Sequence, residues 1–188
     1  MLQAIDRLPG LQAFQAPVYP DERGTLIQSF VRSGLEARGI PGDFKQAIQN
    51  RSHLGVVRGL HFQWQPPQGK LIRCVSGRVH DVVVDLRPES PTCGDHAAVE
   101  LSERNNLVLW VPPGFAHGFL VLEEDSVVLY FCTEEWNPAG EGGLRYDDPA
   151  LGIAWPRAAV LISSKDKANL TLQAWLSDPR SAAFQFRP

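Results

Sequence analysis

The sequence predicts an all-β protein, built as a sandwich or a barrel, on three observations. Short apolar runs of strand length recur along the chain and are separated by Gly, Pro and Asp. Residues 82–84 and 127–130 are rich in β-branched and aromatic side chains, which suit a pleated surface buried on at least one side. Helical periodicity is scarce. Many short strands bounded by turn signals are typical of an antiparallel architecture that is closed or has two sheets.

The individual elements follow from the same pattern. Residues 57–63 and 70–74 have strand character, because apolar residues flank a His and a Lys there. Two segments have the composition of short helices, residues 34–38 and 165–176. The residues from about 178 onward show no such pattern, and we expect them to be loosely attached. The clearest strands are predicted at residues 26–30, 71–75, 79–86, 97–101, 107–111, 119–122 and 127–132.

Length and composition predict one domain that spans residues 1–188 and is large enough to bury a core without disulfides. A formal net charge of −3 provides no basic field, which argues against a nucleic-acid partner. No apolar run reaches membrane-spanning length, and the first residues lack the apolar stretch of a signal peptide. The three Cys are far apart and lack zinc-type spacing. We therefore expect a cytoplasmic protein without a membrane partner.

Two segments carry the strongest indication of chemistry, VRGLHFQ at residues 57–63 and QGKLIRC at residues 68–74. They place His61 and Lys70 among apolar residues on neighbouring strand segments. An imidazole can remove a proton from carbon, and an ammonium can stabilise the negative charge that this removal creates. Taken alone, however, a single His among apolar residues is more often structural, and a Lys beside a strand is more often solvated.

Four motifs together resemble those of the nucleotide-sugar 3,5-epimerases of the dTDP-4-dehydrorhamnose type. They are RGLHFQ, QGKLIRC, VVVDLRPESPTCG and VPPGFAHGFL, and the resemblance extends from about residue 19 to residue 166. It implies a cupin-like jelly roll (a double-stranded β-helix) with a few short helices, and a homodimer with exchanged N-terminal strands. The implied activity is epimerisation of a nucleotide-diphosphate sugar beside a C4 ketone. No cofactor is implied, because the substrate's own ketone acidifies the neighbouring C–H bonds.

The resemblance also implies roles for individual residues. His61 would abstract the proton, Lys70 would stabilise the enolate, and Asp166, in SSKD, would orient the imidazole. Without the resemblance, Asp166 would be read as a helix N-cap. Arg side chains match phosphate oxygens well, and an acidic protein that binds a diphosphate must supply them locally. The implied substrate-binding residues are Arg23, Arg58, His117, Trp136 and Glu141.

Two positions depart from the family pattern. The family places its Tyr proton donor just before an N-P or S-P pair, where this sequence has Trp136. An indole N–H is no useful proton donor near neutral pH. The proton would then return from water, Tyr130 or Tyr146, or the enzyme would invert a single carbon. The second departure is TLIQ at residues 25–28, where the family has aromatics followed by Glu, and it leaves the nucleobase open.

Other functions remain open on the sequence. They are a mono-epimerase for C3 or C5, a ketoisomerase on another nucleotide sugar, and a non-catalytic sugar-nucleotide-binding cupin. A metal-dependent cupin oxygenase is disfavoured, because such sites need two His separated by one residue. Here His61 is followed by Phe62 and Gln63, and His117 alone cannot complete a site. The sequence therefore predicts no bound metal.

Overall fold

β-Strands dominate the computed structural model, which describes residues 5–186. The short helices are α1 Arg32–Glu36, α2 Ser164–Lys167 and α3 Leu172–Leu176, with a 3-10 helix at Pro179–Ala183. The strands are β1 Gln12–Gln15, β2 Val18–Asp21, β3 Gly24–Ile27, β4 Gln46–Ser52, β5 Val57–Gln63, β6 Lys70–Ser76, β7 Arg78–Asp85, β8 His96–Ser102, β9 Leu107–Val111, β10 Phe115–Val121, β11 Ser126–Cys132 and β12 Glu141–Gly143.

Ten of these strands form two five-stranded antiparallel sheets. The first sheet has the order β1-β9-β6-β11-β4, and the second has the order β12-β5-β10-β7-β8. Strands β2 and β3 form a separate hairpin, which we call the N-terminal hairpin. Two antiparallel sheets packed face to face make the jelly roll that the sequence predicted. No helix within residues 5–186 is long and apolar enough to cross a membrane.

The main core lies between the inner faces of the two sheets. The first sheet contributes Ile72 and Cys74, and the second contributes Val83, Phe115 and Phe119. Residues that pair across neighbouring strands project to the same face of a sheet. The strand register therefore identifies which polar side chains share this inner surface with the core.

The outer face of the second sheet is covered by the C-terminal segment. Trp175 packs on Phe62 with 4.4 Å between ring centroids, and Phe184 lies 5.8 Å from Trp175. Phe184 is buried. The prediction of a loosely attached C-terminal segment is therefore wrong as far as residue 186, because these aromatic contacts hold it against the sheet.

Most predicted strands agree with the structure within one or two residues. The strand expected at 26–30 lies earlier, as β3. The helical turns expected within residues 165–176 are present as two short helices, α2 and α3. Leu170 forms a backbone bridge with Leu144, and the Thr171 side chain then accepts a hydrogen bond from the Ala174 N–H to cap α3.

Candidate active site

His61 and Asp166 form a hydrogen-bonded pair at the centre of the site. His61 lies on β5, and its Nε2 is 2.6 Å from Asp166 Oδ1 on α2. The Ser163 side chain, and not that of Asp166, caps α2 by accepting the Asp166 N–H at 3.0 Å. The capping role considered for Asp166 is therefore wrong. Burial raises the pKa of the Asp166 carboxyl, but the contacts with His61 outweigh it and the net pKa is lowered, so the group stays ionised.

A cleft of about 520 Å³ opens at this pair. His61, Asp166 and Arg58 line it, and Arg58 Nε donates to Ser52 Oγ at 2.9 Å. The other basic or imidazole side chains that line it are Arg51, His53 and Lys165. This surface suits an anionic ligand, because Arg and Lys complement phosphate oxygens.

Lys70 lies on the inner face next to His61. Its Nζ donates to the backbone oxygen of His61 at 3.3 Å, and it pairs across strands with Cys132. Burial lowers the pKa of the Lys70 ammonium, and the nearby Cys132, Glu141 and Asp81 oppose this only in part. A buried cation beside His61 suits the stabilisation of an enolate.

His117 is buried on β10 and is the cross-strand partner of His61. Its Nε2 is 2.9 Å from Asp81 Oδ2. Sequence reasoning missed Asp81, although a carboxylate inside the apolar strand β7 was a usable signal. The structure thus adds a second His–Asp pair to the interior.

Tyr130 and Trp136 occupy very different places. Tyr130 pairs with Ile72 across β11 and β6, so its ring faces the interior, where it packs against the main core. Burial raises the pKa of the Tyr130 hydroxyl. Trp136 follows β11 and is 56% exposed, and its Nε1 donates to Glu141 Oε2 at 3.2 Å. Only Tyr130 is therefore directed between the sheets.

Glu141 connects Trp136 to the cleft. Its Oε2 also accepts a hydrogen bond from Lys165 Nζ at 2.5 Å, and Lys165 lines the cleft. Burial raises the pKa of the Glu141 carboxyl, but Lys165 and Trp136 outweigh this and lower it overall. Trp136, Glu141 and Lys165 thus form a connected border at the mouth of the cleft, which we call the rim.

Arg23 is the predicted site residue that this chain does not bring to the cleft. It lies at the turn of the N-terminal hairpin, is exposed, and pairs with Asp21 at 2.5 Å. It is not among the residues that line the cleft. Within the described chain, the other predicted residues line the cleft, form its rim or lie on the inner face beside His61.

One group of possible metal ligands is present among residues 5–186, formed by His53, Glu124 and Asp125. All three residues are exposed, and His53 Nδ1 already contacts Glu124 Oε1 at 2.6 Å. Neither His61 nor His117 belongs to this group.

Comparisons with known proteins identify the family of this chain. The family described as dTDP-4-dehydrorhamnose 3,5-epimerase matches residues 6–174. The dTDP-4-dehydrorhamnose 3,5-epimerase of Methanothermobacter thermautotrophicus is 42% identical over 163 residues, which are 85% of this chain and 88% of that protein. One similar solved structure is the crystal structure of dTDP-6-deoxy-D-glucose-3,5-epimerase RmlC from Legionella pneumophila, in complex with dTDP-4-keto-L-rhamnose. Its TM-score is 0.89 at 40% identity, and the match covers 95% of this chain and 94% of that one.

A further solved structure is a double mutant of ChmJ, a 3'-monoepimerase from Streptomyces bikiniensis, in complex with dTDP. In it a His is replaced by Asn and a Tyr by Phe. Its TM-score is 0.83 at 31% identity, and the match covers 89% of this chain and 85% of that one. The predicted fold and family are confirmed, and this chain belongs to the dTDP-4-dehydrorhamnose 3,5-epimerase family.

Proposed function

We propose that this enzyme epimerises a nucleotide-linked 4-keto-6-deoxy hexose, by similarity dTDP-4-dehydro-6-deoxyglucose, at C3 and C5. The observation that carries the proposal is the His61–Asp166 pair at the cleft, with the Lys70 ammonium beside it. This arrangement supplies a base, a carboxylate that orients the base, and a cation for the charge that develops. These are the groups that proton abstraction next to a ketone requires.

The first step is proton removal by His61. Asp166 accepts the Nε2–H of His61, which leaves the lone pair on Nδ1 to take the proton from the sugar carbon. The electrons of the broken C–H bond form an enolate, whose negative charge lies largely on O4. Lys70 stabilises that oxygen, and a single well-placed donor of this kind contributes about 2.7–4 kcal/mol.

The second step returns a proton to the opposite face of the carbon. Tyr130 projects inward from the first sheet, and His61 lies on the second sheet. A substrate held between the sheets would therefore have the two groups on opposite sides. We assign the proton donor to Tyr130, one of the three sources that the sequence left open.

The diphosphate is bound by the basic side chains of the cleft. The lining of the cleft presents three cationic side chains, those of Arg51, Arg58 and Lys165. Arg23 adds a further cation in a homodimer with exchanged N-terminal segments. The N-terminal hairpin supports this assembly, because it pairs with no other strand of the described chain and exposes 52% of Tyr19 and 63% of Leu26.

The test is deuterium incorporation from heavy water into dTDP-4-keto-6-deoxyglucose, followed at C3 and C5. Wild type should exchange and invert both carbons. His61→Asn should abolish exchange while binding of dTDP is retained, since a general base contributes a factor of about 10²–10⁴. Exchange at the wild-type rate in His61→Asn would refute the proposal.

Tyr130→Phe separates the two steps. Exchange should continue, because His61 still removes the proton, but the ratio of inverted product to exchanged substrate should fall. Trp136→Phe is the matched control and should leave this ratio unchanged. A normal ratio in Tyr130→Phe, with a fall in Trp136→Phe, would place the donor at the rim.

A mono-epimerase is the second candidate, favoured by the structural similarity to the 3'-monoepimerase ChmJ. The same experiment distinguishes it. Exchange and inversion at one carbon only would identify a mono-epimerase, and exchange at neither carbon would indicate a different substrate or a binding protein.

A further inference from the structure

Residues 133–137, which we call the Trp136 loop, lie outside every helix and strand. Backbone N–H and C=O groups that belong to no ladder need other partners when they are shielded from water. The side chains of Gln63 and Gln46 supply such partners to three consecutive residues, 135–137. The position of Trp136 is therefore set by side chains from outside its own loop.

Gln63 holds the backbone on both sides of Trp136. It is the last residue of β5, and its side chain is buried. Its Nε2 donates to the backbone oxygens of Glu135 and Pro66, each at 3.1 Å. Its Oε1 accepts the Asn137 N–H at 2.8 Å. These three contacts need two N–H donors and one acceptor oxygen on a single group, which an amide side chain provides.

Gln46 holds the same loop from the opposite sheet. It is the first residue of β4, and its Oε1 accepts the Trp136 N–H at 2.9 Å. β4 belongs to the first sheet and the strand of Gln63 to the second, so the loop is fixed to both sheets. The indole ring is nevertheless 56% exposed. An exposed aromatic ring on a fixed backbone offers a preorganised surface to a ligand.

The rim to which Trp136 belongs adjoins the reacting groups of the proposed site. Glu141, which accepts the Trp136 Nε1–H at 3.2 Å, is the cross-strand partner of Gln63. Its carboxylate lies near enough to Lys70 and His61 for the charges to act on one another. The ring is therefore placed at the end of the cleft where the base and the buried cation lie.

We infer that Gln63 and Gln46 are positioning residues that hold the Trp136 ring against the sugar of the substrate. This inference rests on the proposed function. The two Gln side chains act through Trp136 and do not contact the reacting atoms. The ring contacts the sugar equally in the ground state and in the transition state. Losing its position therefore raises KM, while kcat and the affinity for dTDP, which lacks the sugar, are retained.

The first test uses the protein without substrate, labelled with 5-fluorotryptophan. The chain has five Trp, and the fluorine signal of Trp136 is assigned by its absence in Trp136→Phe. We expect this signal to shift or broaden in Gln63→Met, which keeps the length of the side chain but donates no hydrogen bond. Gln173→Met is the matched control, an exposed Gln that should leave the signal in place. An unchanged Trp136 signal in a folded Gln63→Met protein would overturn the inference, whatever the enzyme's substrate.

The second test measures KM and kcat in the deuterium-exchange assay, and the affinity for dTDP by calorimetry. In Gln63→Met we expect KM to rise by about 3- to 10-fold, which is the cost of losing one aromatic contact. The kcat and the Kd of dTDP should stay within about twofold of wild type. An equal loss of dTDP affinity would place the ring at the nucleotide, and a fall in kcat without a rise in KM would give it a role in the transition state only. Either result would refute the inference.

The double variant with Trp136→Ala distinguishes positioning from a structural role. Its KM should equal that of Trp136→Ala alone, because Gln63 acts through the ring, whereas increases that multiply would refute the inference. If Gln63→Met does not fold, Gln46→Ala replaces it, since Gln46 lies on an edge strand, and an unchanged Trp136 signal there would overturn the inference. If wild type exchanges no substrate proton, the proposed function fails, and the fluorine spectra still decide whether the two Gln hold the ring.

Discussion

Replacing Asp166 by Asn removes the charge beside His61 with almost no change in size. The carboxylate lies 2.6 Å from His61 Nε2, and the side chains of His61 and Asp166 are 30% and 6% exposed. The same change in a Ser-His-Asp triad lowers kcat by about 10⁴, because the ring takes the wrong tautomer. His61 is partly solvated, and water screens some of the lost charge. We therefore expect a fall of about 10²–10³, which corresponds to about 2.7–4 kcal/mol in the activation free energy.

The assay is the initial rate of deuterium incorporation at C3 and C5, with binding of dTDP measured separately by calorimetry. Binding should change little, because the imidazolium forms only as the reaction proceeds. Asp147→Asn is the control, since that carboxylate is exposed and pairs with Arg145. An Asp166→Asn enzyme that folds normally and exchanges within about threefold of wild type would refute the role of Asp166, since the expected loss is at least about 10².

The remaining predictions concern catalysis, metal dependence and stability. Lys70→Met should lower kcat by about 10²–10³ with little change in KM, and equal losses in both would indicate a binding role instead. Activity should survive treatment with a chelator, and loss restored by iron, manganese or zinc would contradict this. Phe184→Ala should lower the free energy of unfolding in urea by about 3–5 kcal/mol, because its ring is buried. Arg180 lowers the pKa of the Asp178 carboxyl from 3.8 to about 2, which a carboxyl titration followed by NMR should show. The contribution of this ion pair to the stability of the fold should therefore be fully present above pH 3.8 and be lost as the pH falls through 2.

The sequence predicted the all-β class and the His61–Lys70 neighbourhood because both depend on short-range patterns, whereas the family resemblance implied the jelly roll. Apolar alternation identifies strands, and the two functional residues lie in adjacent apolar segments. The contact between His61 and Asp166 spans 105 positions, which no local pattern specifies, and only the family resemblance suggested it.

The proposed proton donor is harder to predict from the sequence, because the motif that marks it in the family lies in a loop. The N-P pair directs attention to Trp136, whereas the pairing of Tyr130 with Ile72 places the Tyr130 ring on the inner face. Asp81 was missed because spacing alone does not reveal which face of β7 its side chain occupies. Both assignments depend on strand register, which is a property of the folded sheet.

The position of Asp166 in the chain has a consequence for biosynthesis. It lies after the last strand of both sheets, on a short helix that precedes the aromatic segment covering the second sheet. A ribosome therefore releases the strands of both sheets before it releases the carboxylate that we propose orients His61. On the proposed mechanism, competence for proton abstraction is thus acquired only after both sheets have been synthesised, so that the scaffold precedes the chemistry it would hold.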